Sequence, residues 1–486
     1  MYTISPWAAT VQADLENSVL IWEKEFHNYF FQVYNTGDSL WILVIWPNQV
    51  KMAFRAAFAM NSCFEITNLF DDEQILIINL ETKLGTYSTA ISFPNSDKAL
   101  LHYKTTFKAN QPFMIPFWPR DIIPVTQTGN VANTNGIIHT NQIGSRSGLL
   151  FASMTKPKGG SFFYFQDLGS ISEYCEATET SLENTVGGSW PEIGFQLPIT
   201  EEKPLPSDKA YVISDAYVLF SEDTIENEIQ ETQEFIRNLA DVYCVLPHPE
   251  IIYHNWPEIT QNCLDELYHN KGSWTQTKGN SFLNAYLCDY DTPAEVMVQL
   301  AVLMPLNELT LWYGEKHPVY NDLLEGIDSF YDPKIKTINR WLPELIEELD
   351  KSEEQKKEMV MDSWYLHHPL MNLTRLALNG EKKAEDLVLK SIEFAIKVAH
   401  HFDYEWPVFY KMDTLEVVKK ETAPGEGGEK DVPGSYAHLM LLLYRLTKEK
   451  RYLNEAEKAV KKLIGCGFSI FYQANITAFS AGALLE

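Results

Sequence analysis

Tryptophans followed directly by proline mark positions where this sequence could contact a sugar-like ligand. There are five such dipeptides, Trp46-Pro47, Trp118-Pro119, Trp190-Pro191, Trp256-Pro257 and Trp406-Pro407. Proline favours an extended conformation for the residue before it, so each indole is expected at a loop or strand end. Four of the five have an acidic residue nearby, and flat apolar faces beside proton donors are what carbohydrate chemistry needs. For any single dipeptide, a buried core tryptophan is the alternative.

Paired carboxylates would supply the chemistry. Glycoside hydrolysis needs one carboxylic acid to protonate the leaving oxygen and a second carboxylate to activate water or attack carbon. Glu405 is the first choice for the acid, because Tyr404 and Trp406 beside it would exclude water and favour its protonated form. Asp289 or Asp291 is the choice for the base. As alternatives, Glu405 could pair with a lysine at a helix end, and Asp291 could cap a helix.

Further residues are candidates for substrate contacts. Arg120 could bind a uronate carboxylate with two hydrogen bonds, or it could pair with an acid in a loop between domains. Glu258 follows Pro257 and could serve only as a first-turn acid that favours the helix dipole. The full set of predicted binding residues is Tyr404, Trp406, Trp274, Trp256, Glu258, His401, His367, Arg120 and Trp190.

Two histidine pairs, His367-His368 and His400-His401, raise the question of a metal or an epimerase site. Adjacent side chains on a helix point about 100° apart, and no HExxH spacing occurs, so no metal is predicted. His401 near Tyr404 leaves open a sugar epimerase or a polysaccharide lyase, in which histidine or tyrosine removes a proton. No nucleotide fingerprint is present, so no cofactor is predicted.

Charge and composition narrow the choice of partners. The 486 residues carry a formal net charge of -27, which would repel nucleic acid and anionic membrane surfaces. No run of eighteen apolar residues occurs, and residues 1–16 lack the pattern of an export signal. The sequence therefore predicts a soluble protein, cytoplasmic as given or exported if a leader was removed. The six dispersed cysteines predict free thiols. A saccharide is the expected partner, and the oligomeric state is not indicated.

Two patterns of periodicity divide the chain. Short apolar runs separated by Gly, Pro, Asn and Asp predict an antiparallel β-sandwich over residues 1–222, with a hairpin turn at residues 35–38. Helical periodicity follows over residues 223–486. The runs lie at 40–46, 74–79, 149–154, 161–165 and 211–220.

The clearest helices form two consecutive hairpins. The first joins a helix through 370–378 to one that ends near Phe402, and the second joins stripes at 436–443 and 452–463. The hairpins repeat at a period near seventy residues, which favours a stacked or closed array of helix pairs. The long connections 269–291 and 403–434 are the expected places for function.

The residues Leu443 to Thr447, followed by Leu453 and Ala456, resemble the helix-turn-helix seam of the six-hairpin, (α/α)6-toroid glycosidase-like families. This resemblance implies a β-sandwich followed by a toroid of helical hairpins, and a glycoside hydrolase acting on an oligo- or polysaccharide. A sugar epimerase or polysaccharide lyase on the same fold is the alternative, and a non-catalytic glycan-binding or scaffold protein is the third. The sequence ends within an apolar stretch that resembles a starting helix, so the ring is expected to be incomplete.

Overall fold

The computed structural model describes residues 4–126, 131–145, 147–421, 429–466 and 474–486. The chain divides into two compact units, Met1–Pro249 (unit 1) and Glu250–Glu486 (unit 2). Unit 1 is built mainly from antiparallel strands and unit 2 mainly from helices, so the expected combination of β and α regions is confirmed.

Unit 1 contains two large antiparallel sheets within the described residues. The first has the strand order β1-β2-β3-β4-β9-β14-β13, and the second has the order β10-β11-β12-β15-β8-β7-β6-β5. The strands are β1 (Leu20–Phe26), β2 (Tyr29–Asn35), β3 (Ser39–Ile45), β4 (Lys51–Phe58), β5 (Glu65–Asp71), β6 (Ile75–Thr82), β7 (Gly85–Ser92), β8 (Leu100–Ala109), β9 (Ile122–Val125), β10 (Asn135–Asn141), β11 (Leu149–Lys156), β12 (Ser161–Gln166), β13 (Val186–Ser189), β14 (Glu192–Phe195) and β15 (Tyr211–Ser221).

Alternating side chains of the two sheets meet in one hydrophobic core. Phe54 on β4 packs edge-to-face against Phe162 on β12 and Phe220 on β15, which joins the buried faces of the two sheets. The hairpin predicted between β2 and β3 is confirmed. Its turn places Gly37 at a φ of 92°, and the Gly37 N–H donates to the Asn35 side chain.

The α-helices in the described part of unit 1 are α1 (Pro6–Ala9), α2 (Val11–Glu16), α3 (Ser172–Thr178) and α4 (Glu228–Tyr243). The period-two pattern ends with β15, as the sequence predicts, but α4 packs back on the sheets. Phe235 of α4 contacts Phe151 and Phe163, and compact unit 1 therefore extends to Pro249. The domain boundary predicted at 222/223 stays a prediction.

Unit 2 is organised around helical hairpins. Its helices are α5 (Trp256–His269), α6 (Val296–Tyr313), α7 (Pro318–Gly326), α8 (Ser363–Leu378), α9 (Lys382–His401), α10 (Val432–Thr447), α11 (Lys450–Val460) and α12 (Ala474–Leu485). Short strands lie between them, namely β16 (Trp274–Thr277), β17 (Asn280–Leu283), β18 (Tyr331–Asp332), β19 (Thr337–Ile338), β20 (Val360–Asp362), β21 (Phe409–Lys411) and β22 (Val417–Lys419). The predicted hairpins are confirmed as α8–α9 and α10–α11, and Gly380, at a φ of 95°, permits the turn after α8.

Helices α6 and α8 run side by side in the same direction. At their N-terminal ends the Met297 amide donates to the Tyr365 hydroxyl over 3.1 Å, and at their C-terminal ends Asn379 donates to Asn307 over 2.7 Å. The first turns of α8 and α10 also meet, because the rings of His367 and Tyr436 lie 5.4 Å apart. The N-terminal ends of α6, α8 and α10 therefore form one row.

Helix α6 carries apolar residues on all sides. Of the described helices, it alone has the length and composition that could cross a membrane. Leu300 and Leu303 on one side, and Leu306 on another, are nevertheless buried in the core of unit 2 with α8 and α10. This packing is that of a central helix in a helical core.

Candidate functional site

A cavity of about 580 Å³ lies beside the loop that joins α9 to α10. Tyr404, Glu405 and Trp406, all chosen from the sequence, line this cavity together with Glu429 and Lys462. The glycine-rich part of the loop, residues 422–428, lies outside the described residues. One cavity thus combines aromatic rings with carboxyl groups.

Four packed rings, His367, Tyr404, Trp406 and Tyr436, form a group that we call the aromatic wall, and Tyr404 and Trp406 of this group line the cavity. Trp406 is the centre of this wall, with ring centroids 5.3 Å from His367, 5.3 Å from Tyr436 and 6.3 Å from Tyr404. All four side chains are buried. The wall therefore has a fixed geometry and exposes only part of its surface to the cavity.

Glu455 on α11 accepts hydrogen bonds from two residues of the aromatic wall. Its Oε2 accepts hydrogen bonds from the Tyr404 hydroxyl at 2.8 Å and the Tyr436 hydroxyl at 3.1 Å. His400 Nε2 lies 3.0 Å from the same oxygen, and Lys458 pairs with Oε1. A single buried carboxylate thus fixes two of the four rings.

Glu405 differs from the sequence expectation in its surroundings. Its side chain is 73% exposed, and its Oε1 pairs with Lys462 Nζ at 3.0 Å. The backbone turns through left-handed conformations at Asp403 and Tyr404 after α9 ends, and this turn directs Tyr404 and Trp406 inward. Water therefore reaches Glu405 at the cavity mouth, and the predicted exclusion of water is wrong.

Among the described residues near the start of α8 and α10, Asp362, Glu429 and Asp431 are buried, and we call these three acids the carboxyl cluster. None is more than 9% exposed. Asp362 caps α8, because its Oδ1 accepts the amides of Trp364 and Tyr365 at 3.1 and 3.4 Å. Asp431 directly precedes α10, and Glu429 lies two residues before Asp431. The fold therefore gathers three acids at adjacent helix N-termini.

The cluster joins the aromatic wall through the backbone. The Glu429 amide donates to the Trp406 carbonyl over 3.2 Å, and the Ser363 amide donates to the Val408 carbonyl over 3.2 Å. Strand β20, which ends at Asp362, pairs with β21 just after Trp406. These bonds fix the start of α8 and the residues before α10 against one loop.

Burial separates the protonation states of two members of the cluster. Burial raises the pKa of Glu429 to about 8, and the negative charges of Asp362 and Asp431 raise it further in the same direction. Burial also raises the pKa of Asp362, to about 6, although the Tyr365 amide and the Arg340 charge oppose the change. At pH 7, Glu429 is therefore mainly protonated and Asp362 mainly ionised, as an acid–base pair requires.

Polar atoms around the cluster are buried without hydrogen-bond partners among the described residues. They are the Trp406 Nε1, the Tyr410 hydroxyl and both ring nitrogens of His367. Burial lowers the pKa of His367 to about 3, so the imidazole is neutral. Buried polar groups normally have a protein or water partner, and a group of them without protein partners indicates space for water or a ligand.

The predicted bases Asp289 and Asp291 do not line this cavity in the part of the chain that the structure describes. Asp289 Oδ1 instead accepts the Thr292 amide over 3.1 Å, and Asp291 is exposed. Local hydrogen bonding of an aspartate to the backbone explains the position of Asp289. Trp274 is also engaged locally, because its Nε1 donates to the Leu267 carbonyl over 2.7 Å.

The remaining candidates of unit 2 lie on helix ends. Trp256 is the first residue of α5 and is 63% exposed. Glu258 accepts a hydrogen bond from Asn255 over 2.8 Å, as a first-turn acid does. His401 ends α9, is exposed and packs against the ring of Phe402. His367 alone among these joins the aromatic wall.

Arg120 and Trp190 are engaged inside unit 1. Arg120 Nη1 donates to the carbonyls of Thr185 and Gly194 over 2.6 and 2.8 Å, and Trp190 Nε1 donates to Thr134 over 2.9 Å. Four of the five Trp-Pro indoles are buried, namely Trp46, Trp118, Trp190 and Trp406, and Trp256 is the exposed one. Most of these dipeptides therefore serve a core, which was the alternative for each.

The acids of the carboxyl cluster were not predicted from the sequence, although a repeated pattern in the sequence indicates two of them. An acid directly precedes each of α6, α8 and α10, namely Glu295, Asp362 and Asp431, at separations of 67 and 69 residues. These separations match the hairpin period near seventy residues. An acidic residue that recurs before successive parallel helices could have predicted that the N-terminal ends of α6, α8 and α10 lie in one row. Among the described residues, no group of three or more His, Cys, Asp or Glu is arranged to hold a metal ion.

No family model and no curated protein sequence matches this chain. Among solved structures, a family 76 α-mannanase of Bacteroides thetaiotaomicron is similar over 43% of this chain and 55% of its own, at 10% identity and a TM-score of 0.32. The cellobiose 2-epimerase of Spirochaeta thermophila is similar over 42% and 54%, at 13% identity and a TM-score of 0.29. The chain thus spans little more than half the length of either protein.

A third solved structure, a family 76 glycoside hydrolase from a bovine Bacteroides thetaiotaomicron strain, is similar over 76% of each chain. Its sequence identity is 10% and its TM-score is 0.32. TM-scores near 0.3 establish neither a shared fold nor a shared activity.

Proposed function

We propose that unit 2 carries the active site of a saccharide-processing enzyme, with glycoside hydrolysis as its reaction and the cavity beside Trp406 as its site. The observation that carries this proposal is the carboxyl cluster, in which burial separates the protonation states of Glu429 and Asp362. Glu429 lines the cavity with Tyr404 and Trp406, and Asp362 belongs to the same buried cluster at the start of α8. A glycosidase needs one protonated and one ionised carboxyl group near a site that binds a sugar ring.

In this proposal, Glu429 gives its proton to the leaving glycosidic oxygen, and ionised Asp362 activates the attacking water or attacks the anomeric carbon. Tyr404 and Trp406 present apolar surface to the sugar ring. Glu405 lies on the same cavity and is the competing proton donor. Its exposure disfavours that role, because a general acid at neutral pH needs an environment that keeps its proton.

The arrangement of helices supports an α/α toroid for unit 2. Helices α6, α8 and α10 place their N-terminal ends in one row, and α7, α9 and α11 follow them as the second helices of hairpins. In such an array, loops at one rim surround a common site. The cavity lies at the rim where α8 and α10 begin.

The test is release of reducing ends from a panel of oligosaccharides by wild-type protein, three variants of the site and one control variant. Glu429→Gln and Asp362→Asn should each lower kcat roughly 10²- to 10⁴-fold, since each removes a proton-transfer group. Glu405→Gln should change kcat much less. Glu347→Gln is the matched control, because Glu347 is exposed and lies away from the cavity.

A loss of activity in Glu405→Gln but not in Glu429→Gln would transfer the acid role to Glu405. Saccharide binding that is unaccompanied by turnover in the wild-type protein would instead favour a non-catalytic glycan-binding protein.

One observation favours an epimerase or lyase as the second candidate. His367 packs against Trp406 with both ring nitrogens free of partners among the described residues, and histidine is a proton-transfer group of such enzymes. An epimerase would incorporate deuterium from heavy water at the inverted carbon, and a lyase would form an unsaturated product. His367→Ala should abolish either signal but leave hydrolysis by Glu429 and Asp362 measurable.

A further inference from the structure

Three lysines surround the cavity, and we call Lys420, Lys430 and Lys462 the lysine rim. They come from separate parts of unit 2. Lys420 follows β22, Lys430 precedes α10, and Lys462 follows α11. The fold therefore brings three positive charges to one opening.

The three lysines are not equally engaged. Lys462 divides its charge between Asp403 and Glu405 at 2.9 and 3.0 Å, and Lys420 lies 3.6 Å from Glu421. Lys430 has no ion pair among the described residues. Exposed ion pairs are weak and exchange readily with other anions. Lys430 is therefore the rim cation that is most available to a ligand.

Positive side chains gather at this opening although the whole chain carries a net charge of -27. The acids of the lining are Glu405, Glu421 and Glu429, and burial raises the pKa of Glu429 to about 8. Asp403 and Glu405 pair with Lys462, and Glu421 lies beside Lys420, so Lys430 is left without a carboxylate partner among the described residues. A lysine without such a partner attracts the anionic group of a ligand.

We propose that the cavity binds a saccharide that carries an anionic group, a uronate carboxylate or a sulfate, and that Lys430 contacts this group. The inference rests on the proposed function and names its substrate class. The apolar rings of Tyr404 and Trp406 would contact the sugar ring, while the lysine rim would select the charged substituent. Arg120, the residue that the sequence suggested for a uronate, is engaged by two backbone carbonyls in unit 1.

The test measures the affinity of the full chain by titration calorimetry for three oligosaccharides of equal length, one neutral, one containing uronate and one sulfated. Free acetate and inorganic sulfate show whether the anion alone suffices. Lys430→Gln should weaken binding of the anionic oligosaccharide roughly ten- to hundredfold, as loss of a charge-assisted hydrogen bond does, and leave the neutral one unchanged. Lys390→Gln is the control, because Lys390 is exposed on α9 and does not line the cavity.

The two anionic oligosaccharides distinguish carboxylate from sulfate as the recognised group. Equal or tighter binding of the neutral oligosaccharide by wild-type protein would overturn the inference and leave the proposed function intact. Unchanged affinity for the anionic oligosaccharide in Lys430→Gln, with the melting temperature also unchanged, would overturn the role of Lys430. Absence of binding by all three oligosaccharides would overturn both the inference and the proposed function.

Discussion

At the scale of single residues, burial and not the flanking sequence decides which carboxyl group keeps its proton. Glu405 lies between two aromatic residues in the sequence, yet its side chain is exposed and pairs with Lys462. Glu429 has no aromatic neighbour in the sequence, but the fold buries it near Asp362 and Asp431. The acid of the site is therefore set by contacts that are distant along the chain.

The first prediction concerns the pH dependence of turnover. Asp362 must lose its proton to act as a base, so kcat/KM should rise with pH through about 6. Glu429 must keep its proton to act as an acid, so kcat/KM should fall through about 8. Rate measurements over this range should give a bell-shaped curve, and the curve of Glu347→Gln should coincide with it. A profile without the alkaline decline would contradict the role of Glu429.

The second prediction concerns the Tyr410 hydroxyl, which is buried without a partner among the described residues. Tyr410→Phe should leave the free energy of unfolding unchanged or raise it by about 1 kcal/mol, because no hydrogen bond is lost. Tyr87→Phe is the matched control and should lower it by about 1 kcal/mol, since the Tyr87 hydroxyl donates to the Phe58 carbonyl. Denaturant titration compares the two. Equal destabilisation would show that Tyr410 has a bound partner, such as water.

Part of the site could be predicted at this scale. The sequence selects Tyr404, Glu405 and Trp406, which do line one cavity, because aromatic and acidic residues in a long loop are visible locally. Asp362 and Glu429 could not be selected in the same way. Their burial depends on β20–β21 pairing and on the position of α10, and neither follows from neighbouring residues.

At the scale of elements, Asp362 has two separable roles, since it caps α8 and belongs to the carboxyl cluster. Asparagine can also cap a helix, whereas alanine cannot. Asp362→Asn should therefore lose activity with little change in stability, and Asp362→Ala should lose activity and also about 1 kcal/mol of unfolding free energy. Thermal unfolding and activity assays on both variants test this separation. A fully active Asp362→Asn variant would leave only the capping role.

The elements also show which structural features the sequence can reveal. Helices α8 to α11 were expected because apolar residues repeat at helical spacing over long segments, and the strands with clear runs were expected for the same reason. The order of strands in the two sheets could not be predicted from the sequence. Strands β8 and β15 are neighbours although about a hundred residues separate them, and such pairing depends on packing between distant segments.

At the scale of the whole molecule, buried carboxyl groups occur in both units. In unit 1, burial raises the pKa of Asp121 to about 7, although hydrogen bonds from Tyr164, Phe195 and Tyr103 oppose the change. Like Asp362 and Glu429, Asp121 binds its proton more tightly in the folded than in the unfolded chain. The stability that such a group contributes is complete below about pH 4 and is lost as the pH rises through the folded-state pKa.

The free energy of unfolding should therefore fall as the pH rises from about 4 to about 7, with up to about 4 kcal/mol of the change over that range due to Asp121. Asp121→Asn should flatten this dependence, because asparagine does not ionise. Glu202→Gln, at an exposed position of the same unit, should not. Denaturant unfolding at several pH values measures the slopes. Parallel slopes for wild type and Asp121→Asn would show that Asp121 does not titrate in this range.

Helix α6 is apolar on all sides and is translated well before the helix that covers it. Helix α6 packs against α8, and the whole segment from Gly314 to Asp362 must be translated before α8 begins. During that interval α6 has no partner for the side that α8 later covers, and an apolar segment of this length resembles a substrate of chaperones or of the membrane-insertion machinery. We therefore expect the face of α6 that carries Leu300 and Leu303 to need shielding during synthesis until the core of unit 2 forms.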